Sequence, residues 1–302
     1  MKKRISAILA ALILTAALAA CGGGQTNAPK TETADPAKTT QTEEKKDDQA
    51  KIPEKEGTKS EPVTVKVGLT GTDSKVWNYI KEEAAKENIK IELVFFDAYN
   101  LPNAALNDGE LDLNAFQHHF YLDKEVEELG YQIEAIADTV VAPLGLYSKK
   151  ITSIDQLEDG AQVAIPEDVT NGGRALVLLQ QAGLIKLDDA AGKLPTIKDI
   201  TENPKNLRIL ELAATNIPPA LDEVQLAAIN SGVATDAGYV PAQDALVLED
   251  YQDSGNLYVN VIAARTAEKD RPEFKKIIDI YHTDATKKII EEDTKGSSIP
   301  VW

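Results

Sequence analysis

The chain is 302 residues long and carries a formal charge of −17, with 49 Asp and Glu against 32 Lys and Arg, and it contains one cysteine. So acidic a chain with no basic stripe is a poor candidate for nucleic-acid binding or for direct adhesion to anionic lipid. The leader's Lys2, Lys3 and Arg4 supply three of the positive charges, so the remainder is more acidic still.

Those three cations precede an apolar run, Ile5 to Ala20, too short to span a bilayer comfortably and patterned as a secretion signal. The run ends Leu18-Ala19-Ala20-Cys21-Gly22, which resembles the bacterial lipobox, small residues directly ahead of a cysteine. Cleavage before Cys21 and lipid attachment to it would account for a solitary thiol in an exported chain, where cysteines usually pair. The other reading is a plain signal peptide with an incidental cysteine. Residues 1–20 are thus expected to be signal peptide, and 21–61 a lipidated N-terminus and disordered tether. Thr, Glu, Lys, Asp, Gln and Pro fill that stretch and leave too little apolar surface to fold. No second apolar run is long enough to span a membrane, so diacyl lipid on Cys21 is the expected anchor, on the extracytoplasmic face. Roughly 240 residues remain for folded structure, enough for two lobes or one large domain.

Val63-Thr64-Val65-Lys66-Val67-Gly68-Leu69 alternates and predicts a first strand. Asp73 or Ser74 is placed to cap a helix in which Trp77, Ile80 and Ala84 recur at helical spacing as far as Asn88. Residues 89–96 predict a second strand, 101–106 a short helix ended by Gly109, and 111–116 a third strand. This β-α-β-α-β order implies parallel pairing with right-handed crossovers. Gln117-His118-His119-Phe120-Tyr121-Leu122 then stands at the carboxyl end of strand three, where open α/β sheets bind ligands. Neighbouring His118 and His119 would point to opposite faces of an extended segment, His282 is distant in sequence, and no Cys or carboxylate cluster completes a metal-ligand set. Phe116, His118 and Tyr121 read either as an aromatic wall for a ligand or as core and helix-cap packing.

Residues 133–137 and 140–148 form a long extended passage with no helix between, as expected of a chain crossing from one lobe to another. Residues 154–157 predict a turn of helix. Val163-Ala164-Ile165, closed by Pro166, is followed by a four-residue turn and by Thr170-Asn171-Gly172-Gly173-Arg174 opening an apolar helix that stops at Gly183. That places the two glycines between a strand's carboxyl end and a helix's amino end, with Arg174 in the first turn. There, free N–H groups and a guanidinium fork suit a carboxylate. The alternative is a glycine-eased turn with a solvated Arg. Further strands are predicted at 207–212 and 226–230, with Asn230 at the carboxyl end of the latter, and a short helical stretch at 217–222. Residues 257–264 predict a second crossing, and Pro272 to about Thr294 one amphipathic helix. Two α/β lobes joined by two crossings make a hinge with a cleft between them. The expected lobes are 62–140 with 248–302, and 141–247.

Gly-x-Ser-x-Gly, His-Glu-x-x-His, a phosphate-binding Gly-Lys-Ser/Thr loop and the three-glycine dinucleotide pattern are all missing from the sequence, and no Cys is available as a nucleophile. An exported, tethered binder is therefore favoured over an enzyme. Four ordered motifs, Asn114-Ala115-Phe116-Gln117-His118-His119-Phe120-Tyr121-Leu122, Thr170-Asn171-Gly172-Gly173-Arg174-Ala175-Leu176, Asn203-Pro204-Lys205-Asn206-Leu207 and Ala228-Ile229-Asn230, closely resemble the methionine-binding lipoprotein family. These are substrate-binding subunits of methionine-uptake ABC transporters, and the resemblance covers Val63 to Trp302. It implies an α/β, two-lobed type-2 periplasmic-binding-protein fold with mainly parallel sheets and a ligand cleft between the lobes. It further implies a monomer that takes L-methionine, with D-methionine or methionine-containing dipeptides as variants. The ligand would pass to an ABC permease driven by its ATPase, with no cofactor, metal or nucleic acid involved. By the same resemblance Arg174 holds the ligand carboxylate and Asn171 and Asn230 position its amino and carboxylate groups. Phe116, His118 and Tyr121 line the thioether pocket, with Tyr99 nearby. The chain departs from the family at Thr215-Asn216-Ile217-Pro218-Pro219-Ala220-Leu221-Asp222, where many relatives carry a Leu-Pro-Arg-Ser-Leu-Asp-like segment. His119-Phe120 also replaces a commoner Lys-Pro pair. Another amino acid, a dipeptide or an alkyl sulfonate remains as an alternative ligand, and a lipid-anchored enzyme or adhesin as an alternative function on the same scaffold.

Overall fold

Val65, Val67 and Leu69 project from the first strand, β1 (Val63–Thr70), into one core, and each is buried. The computed structural model describes residues 61–251 and 255–302; the leader, Cys21 and the tether as far as residue 60 lie outside the described residues. Ser74 caps α1 (Lys75–Lys86) by accepting from Trp77 N at 3.2 Å, and Trp77, Ile80 and Ala84 form its buried stripe. Asn88, at φ 59, turns the chain into β2 (Ile89–Phe96), which pairs in parallel with β1 along its whole length. After α2 (Pro102–Asn107) comes β3 (Leu113–Asn114), also parallel to β1. It is shorter than the predicted 111–116; at its start Asp112 Oδ2 takes the Lys66 N–H at 2.8 Å, where a ladder carbonyl would otherwise accept.

His118 and His119 are expected on an extended segment; His118 is extended, but His119 opens α3 (His119–Leu129), which is closed by Gly130 at φ 72. The chain then runs through β4 (Ile133–Val141) and β5 (Gly145–Tyr147) to β6 (Gln162–Pro166), α4 (Val169–Gln181), a small hairpin of β7 (Lys186–Leu187) with β8 (Ile200–Glu202), and β9 (Arg208–Leu212). It continues with α5 (Ile217–Ala220), β10 (Leu226–Ile229), α6 (Ser231–Asp236), α7 (Pro241–Asp244) and β11 (Val247–Leu248), returning through β12 (Val259–Arg265). The tail is two helices, α8 (Pro272–Tyr281) and α9 (Asp284–Thr294), followed by β13 (Ile299–Pro300). One continuous helix was predicted there. Thr283 breaks it by accepting from Thr286 N at 3.3 Å, which starts a new N-cap.

Two sheets organise these elements, in the orders β13-β4-β12-β3-β1-β2 and β11-β5-β10-β6-β9. The βα portions pair in parallel, as predicted (β1 with β2 and β3, β6 with β9 and β10). The crossing strands β4, β12 and β5 add antiparallel pairs, so each sheet is mixed. Phe274 and Ile277 of α8 close the first core, and Leu176, Leu178 and Leu179 of α4 pack in the second. At about 1.5–3 kcal/mol per buried large apolar side chain, these stripes outweigh intrinsic helix propensity. The chain passes between the sheets after β4 and again after β11. Leu144 N donates to Glu249 Oε2 at 3.0 Å and Glu249 N to Leu144 O at 2.9 Å, so the two passages are tied side by side.

Candidate functional site

The carboxyl ends of β1, β3 and β10 and the first half of α4 open on one cavity of about 700 Å³, and Tyr99, Phe116, His118, Tyr121, Asn171, Arg174 and Asn230 all line it. The volume falls in the range of about 300–1,000 Å³ usual for small-molecule sites.

The start of α4 differs from expectation. The helix begins at Val169, so Gly172 and Gly173 are helical residues, not turn residues, and Arg174 is past the first turn. Asp168 Oδ1 caps the helix by accepting from Asn171 N at 2.9 Å, so a carboxylate of the chain itself occupies the place where an external anion was expected. The glycines serve close approach. A Cβ on Gly172 would lie 2.7 Å from Pro166 O, and one on Gly173 would lie 3.2 Å from both Cδ and O of Pro195. Asp168 also fixes Asn171, whose Nδ2 donates to both Asp168 oxygens at 3.1 Å. Asn171 Oδ1 is thereby aimed at His118 Nε2, 3.2 Å away, and at Asn230 Nδ2, 2.8 Å away. The Asn171 carbonyl oxygen thus has both acceptor positions taken within the protein. Asn230 keeps a buried Oδ1 without a partner among the described residues, as does the neighbouring Ser231 Oγ.

Arg174 was open between a carboxylate grip and a solvated side chain; it is 3% exposed. Nε donates to Glu249 Oε1 at 2.8 Å, and Nη2 donates to Glu249 Oε2 and, at 3.1 Å, to Ala142 O. The ring of Tyr258 lies 4.1 Å from its guanidinium carbon. Nη1 makes no hydrogen bond among the described residues, which leaves one face of the fork uncommitted.

The opposite wall is aromatic. Phe116 and Tyr121 ring centroids are 6.0 Å apart, and Tyr99 lies 6.0 Å from Phe116 and 6.2 Å from Tyr121, in tilted or edge-on contact. Tyr121 turns its hydroxyl away to donate to Glu125 Oε1 at 3.0 Å, and Glu125 in turn accepts from Asn103 Nδ2 at 2.8 Å. What Tyr121 can offer the cavity is therefore its ring. His118 Nδ1 caps α3 by accepting from Tyr121 N at 3.0 Å, so its Nε2, facing an amide oxygen, carries the proton. Burial and, second, the Arg174 cation push the His118 pKa down to about 3, so the ring is neutral. His118 thus caps the helix and faces the cavity, which joins the two readings the sequence left open.

His119 and His282, far apart in sequence, both reach Asp138: His119 Nε2 lies 2.6 Å from its carboxylate and His282 Nε2 lies 2.8 Å from its carbonyl. Among the described residues no group of three or more His, Cys, Asp or Glu could hold a metal ion. Asp168, Glu249 and Tyr258 escaped the sequence reading. Asp168, three residues before Asn171, carries a recognisable capping signal. Glu249 and Tyr258 carry none, being brought to Arg174 only by the second passage between the sheets. At the departing segment, Thr215 Oγ1 donates to Asp97 O at 2.9 Å, joining the two halves at the cavity mouth.

This α/β architecture, two sheets linked by paired passages around a ligand-sized cavity, is the type-2 periplasmic-binding-protein fold, the class of extracytoplasmic substrate-binding proteins. Within that class the chain belongs to the NlpA lipoprotein family, whose profile matches residues 65–302. It is 43% identical over 246 residues to the D-methionine-binding lipoprotein MetQ of Escherichia coli (strain K12), covering 80% of this chain and 90% of that one. Among solved structures it resembles a nutrient-binding protein from Burkholderia cenocepacia bound to methionine, with a TM-score of 0.75 at 41% identity, covering 79% of this chain and 100% of the other. It likewise resembles the substrate-binding protein of a methionine transporter from Streptococcus pneumoniae, with a TM-score of 0.75 at 39% identity, covering 79% and 96%. No helix among the described residues is long and apolar enough to cross a membrane.

Proposed function

We propose that the chain is the lipid-anchored substrate-binding subunit of an ABC importer, and that its cleft binds L-methionine. The observation that carries the reading is a convergence. The free Nη1 of buried Arg174 and the unpartnered Oδ1 of Asn230 share one cavity with the rings of Tyr99, Phe116 and Tyr121. A zwitterion needs a cationic donor for its carboxylate and acceptors for its ammonium. A thioether packs on aromatic rings at about 0.3–1.5 kcal/mol per contact. Asn171 acts here as the organiser that orients Asn230, and His118 as a neutral link between the aromatic wall and Asn171.

The ligand can favour closure only by touching both lobes. The first sheet draws its strands from 63–141 and 259–300 and the second from 145–248, which supports lobes at 62–140 with 248–302 and at 141–247. Closure of these lobes would present a monomeric protein to a permease and its ATPase, with no chemical step. Lipid on Cys21 would hold it at the outer face of the membrane; Cys21→Ser should move the protein from the membrane to the soluble fraction. A second cavity of about 380 Å³ shares Tyr99, Tyr121 and Thr215 with the first, which favours methionine dipeptides as the second reading.

The test is calorimetric titration of protein unfolded and refolded to strip carried-over ligand. The panel is L- and D-methionine, norleucine, methionine dipeptides, other amino acids and an alkyl sulfonate. L-Methionine should bind most tightly or share that rank with a methionine dipeptide. A tighter amino acid without a thioether, or no response to methionine, would overturn the proposal.

A further inference from the structure

We infer that Glu249 is a positioning residue that both aims and neutralises Arg174, so that the cleft selects a net-neutral zwitterion over an anion. The inference rests on Arg174 being the ligand's carboxylate contact.

A guanidinium has five N–H donors. Glu249 takes Nε–H and one Nη2–H, and Ala142 O takes the other, which leaves the Nη1 pair as the only donors without a partner among the described residues. Glu249 is itself fixed, since its Oε2 also accepts from Leu144 N at 3.0 Å and its backbone N donates to Leu144 O at 2.9 Å. Tyr258 covers the guanidinium at 4.1 Å and packs edge-on against His118, with centroids 5.3 Å apart. The fork is therefore held in plane, from its edge and from its face, by both passages between the sheets.

Charge gives the second consequence. Arg174 and Glu249 side chains are 3% and 7% exposed, so water screens neither strongly. A buried arginine without its partner would be a net cation and would draw any small anion that fitted. Paired with Glu249, it offers two N–H donors from a neutral unit. Of the other carboxylates, Asp168 is directed at the first turn of α4 and at Thr170 and Asn171, while Asp73, Asp97, Asp236 and Asp293 line the same cavity and add to its bias against an anion. A ligand carboxylate is then best accompanied by a cation of its own, the ammonium, for which Asn230 Oδ1 is the waiting acceptor.

The probes are L-methionine and 4-(methylthio)butanoate, the same molecule without its ammonium group. Both are titrated into ligand-stripped wild type, Glu249→Gln and Glu249→Asp, with melting curves to confirm folding. Wild type should prefer methionine. Glu249→Gln should bind methionine at least tenfold more weakly, and its preference for methionine over the anion should shrink at least tenfold. Glu249→Asp, which keeps the charge but withdraws it by one methylene, should weaken both ligands several-fold and leave the preference unchanged. A purely structural role would weaken both ligands alike in both variants. Affinity and preference in Glu249→Gln within twofold of wild type would overturn the inference while leaving the cleft's reading intact. If Glu249→Gln does not fold, unchanged affinity in Glu249→Asp overturns it. Wild type that binds neither probe removes the reading of the cleft and this inference with it.

Discussion

Replacing Arg174 with alanine should damage ligand binding and stability by amounts that can be separated. On the ligand side, the proposed reading has the variant lose a charge-assisted contact through Nη1, about 1.5–3 kcal/mol, which is about a 10–150-fold rise in Kd for L-methionine. On the stability side, Glu249, whose side chain is 7% exposed, loses its partner. Removing one member of a buried pair costs about 3–5 kcal/mol, and at about 2–4 °C per kcal/mol for a chain of this size the melting temperature should fall by about 6–20 °C. Calorimetry and thermal melts on the same preparations measure both. The double variant Arg174→Met with Glu249→Leu leaves no orphaned charge, so it should melt well above Arg174→Ala yet bind no better. A single variant that melts within about 2 °C of wild type and binds within about threefold would refute the reasoning for pair and ligand contact alike.

Gly172→Ala should lower the melting temperature although alanine is the better helix former. Its Cβ would sit 2.7 Å from a backbone oxygen, and the forced shift, about 1–3 kcal/mol, outweighs a propensity gain of about 1 kcal/mol. An unchanged or higher melting temperature would count against it. His118 should make the fold acid-sensitive. Its folded pKa of about 3 lies below the ordinary 6.5, so only the unfolded chain takes up this proton as pH falls between the two. Stability should then drop by up to about 1.4 kcal/mol per pH unit from this group, and urea titrations of His118→Asn should lack that component. Equal slopes in the two proteins would refute it. Thr215→Val removes the 2.9 Å bond to Asp97 O at the cavity mouth and should weaken methionine binding by a factor of about 2–10, read by calorimetry.

Local periodicity made most of the strands and α1 legible, because each buries an apolar stripe that the sequence displays at fixed spacing. It did not reveal α3, where the run from Asp123 to Glu128 is largely charged and only Tyr121 and Leu122 are buried. Nor did it reveal the true start of α4. Glycine answers two needs, freedom in φ and absence of a Cβ, and Gly172-Gly173 was read for the first when the structure uses the second. Arg174 and the Phe116, His118 and Tyr121 wall were legible from the residues as one of two readings each, and family resemblance added Tyr99, Asn171 and Asn230. Glu249 was not, since it stands 75 positions from Arg174 among 49 carboxylates, and only the fold selects it.

The placement of these interactions suggests a division of labour between pivot and mouth. Arg174, Glu249, Ala142 and Leu144 knit together the two passages between the sheets, a charged and buried set about which the proposed closure would turn. The direct hydrogen bonds from one half to the other are of a different kind. Thr215 to Asp97 at 2.9 Å, His118 to Asn171 at 3.2 Å and Ala242 N to Ser297 Oγ at 3.1 Å are bonds between neutral groups. Each is worth about 0.5–1.5 kcal/mol net, comparable to the cost of ordering the groups it joins. The empty protein should therefore stand near balance between open and closed. On the proposed reading, a ligand bridging the Phe116–Tyr121 rings and the Arg174–Asn230 polar pair would decide the outcome, because its contacts to both halves would exist only in the closed form.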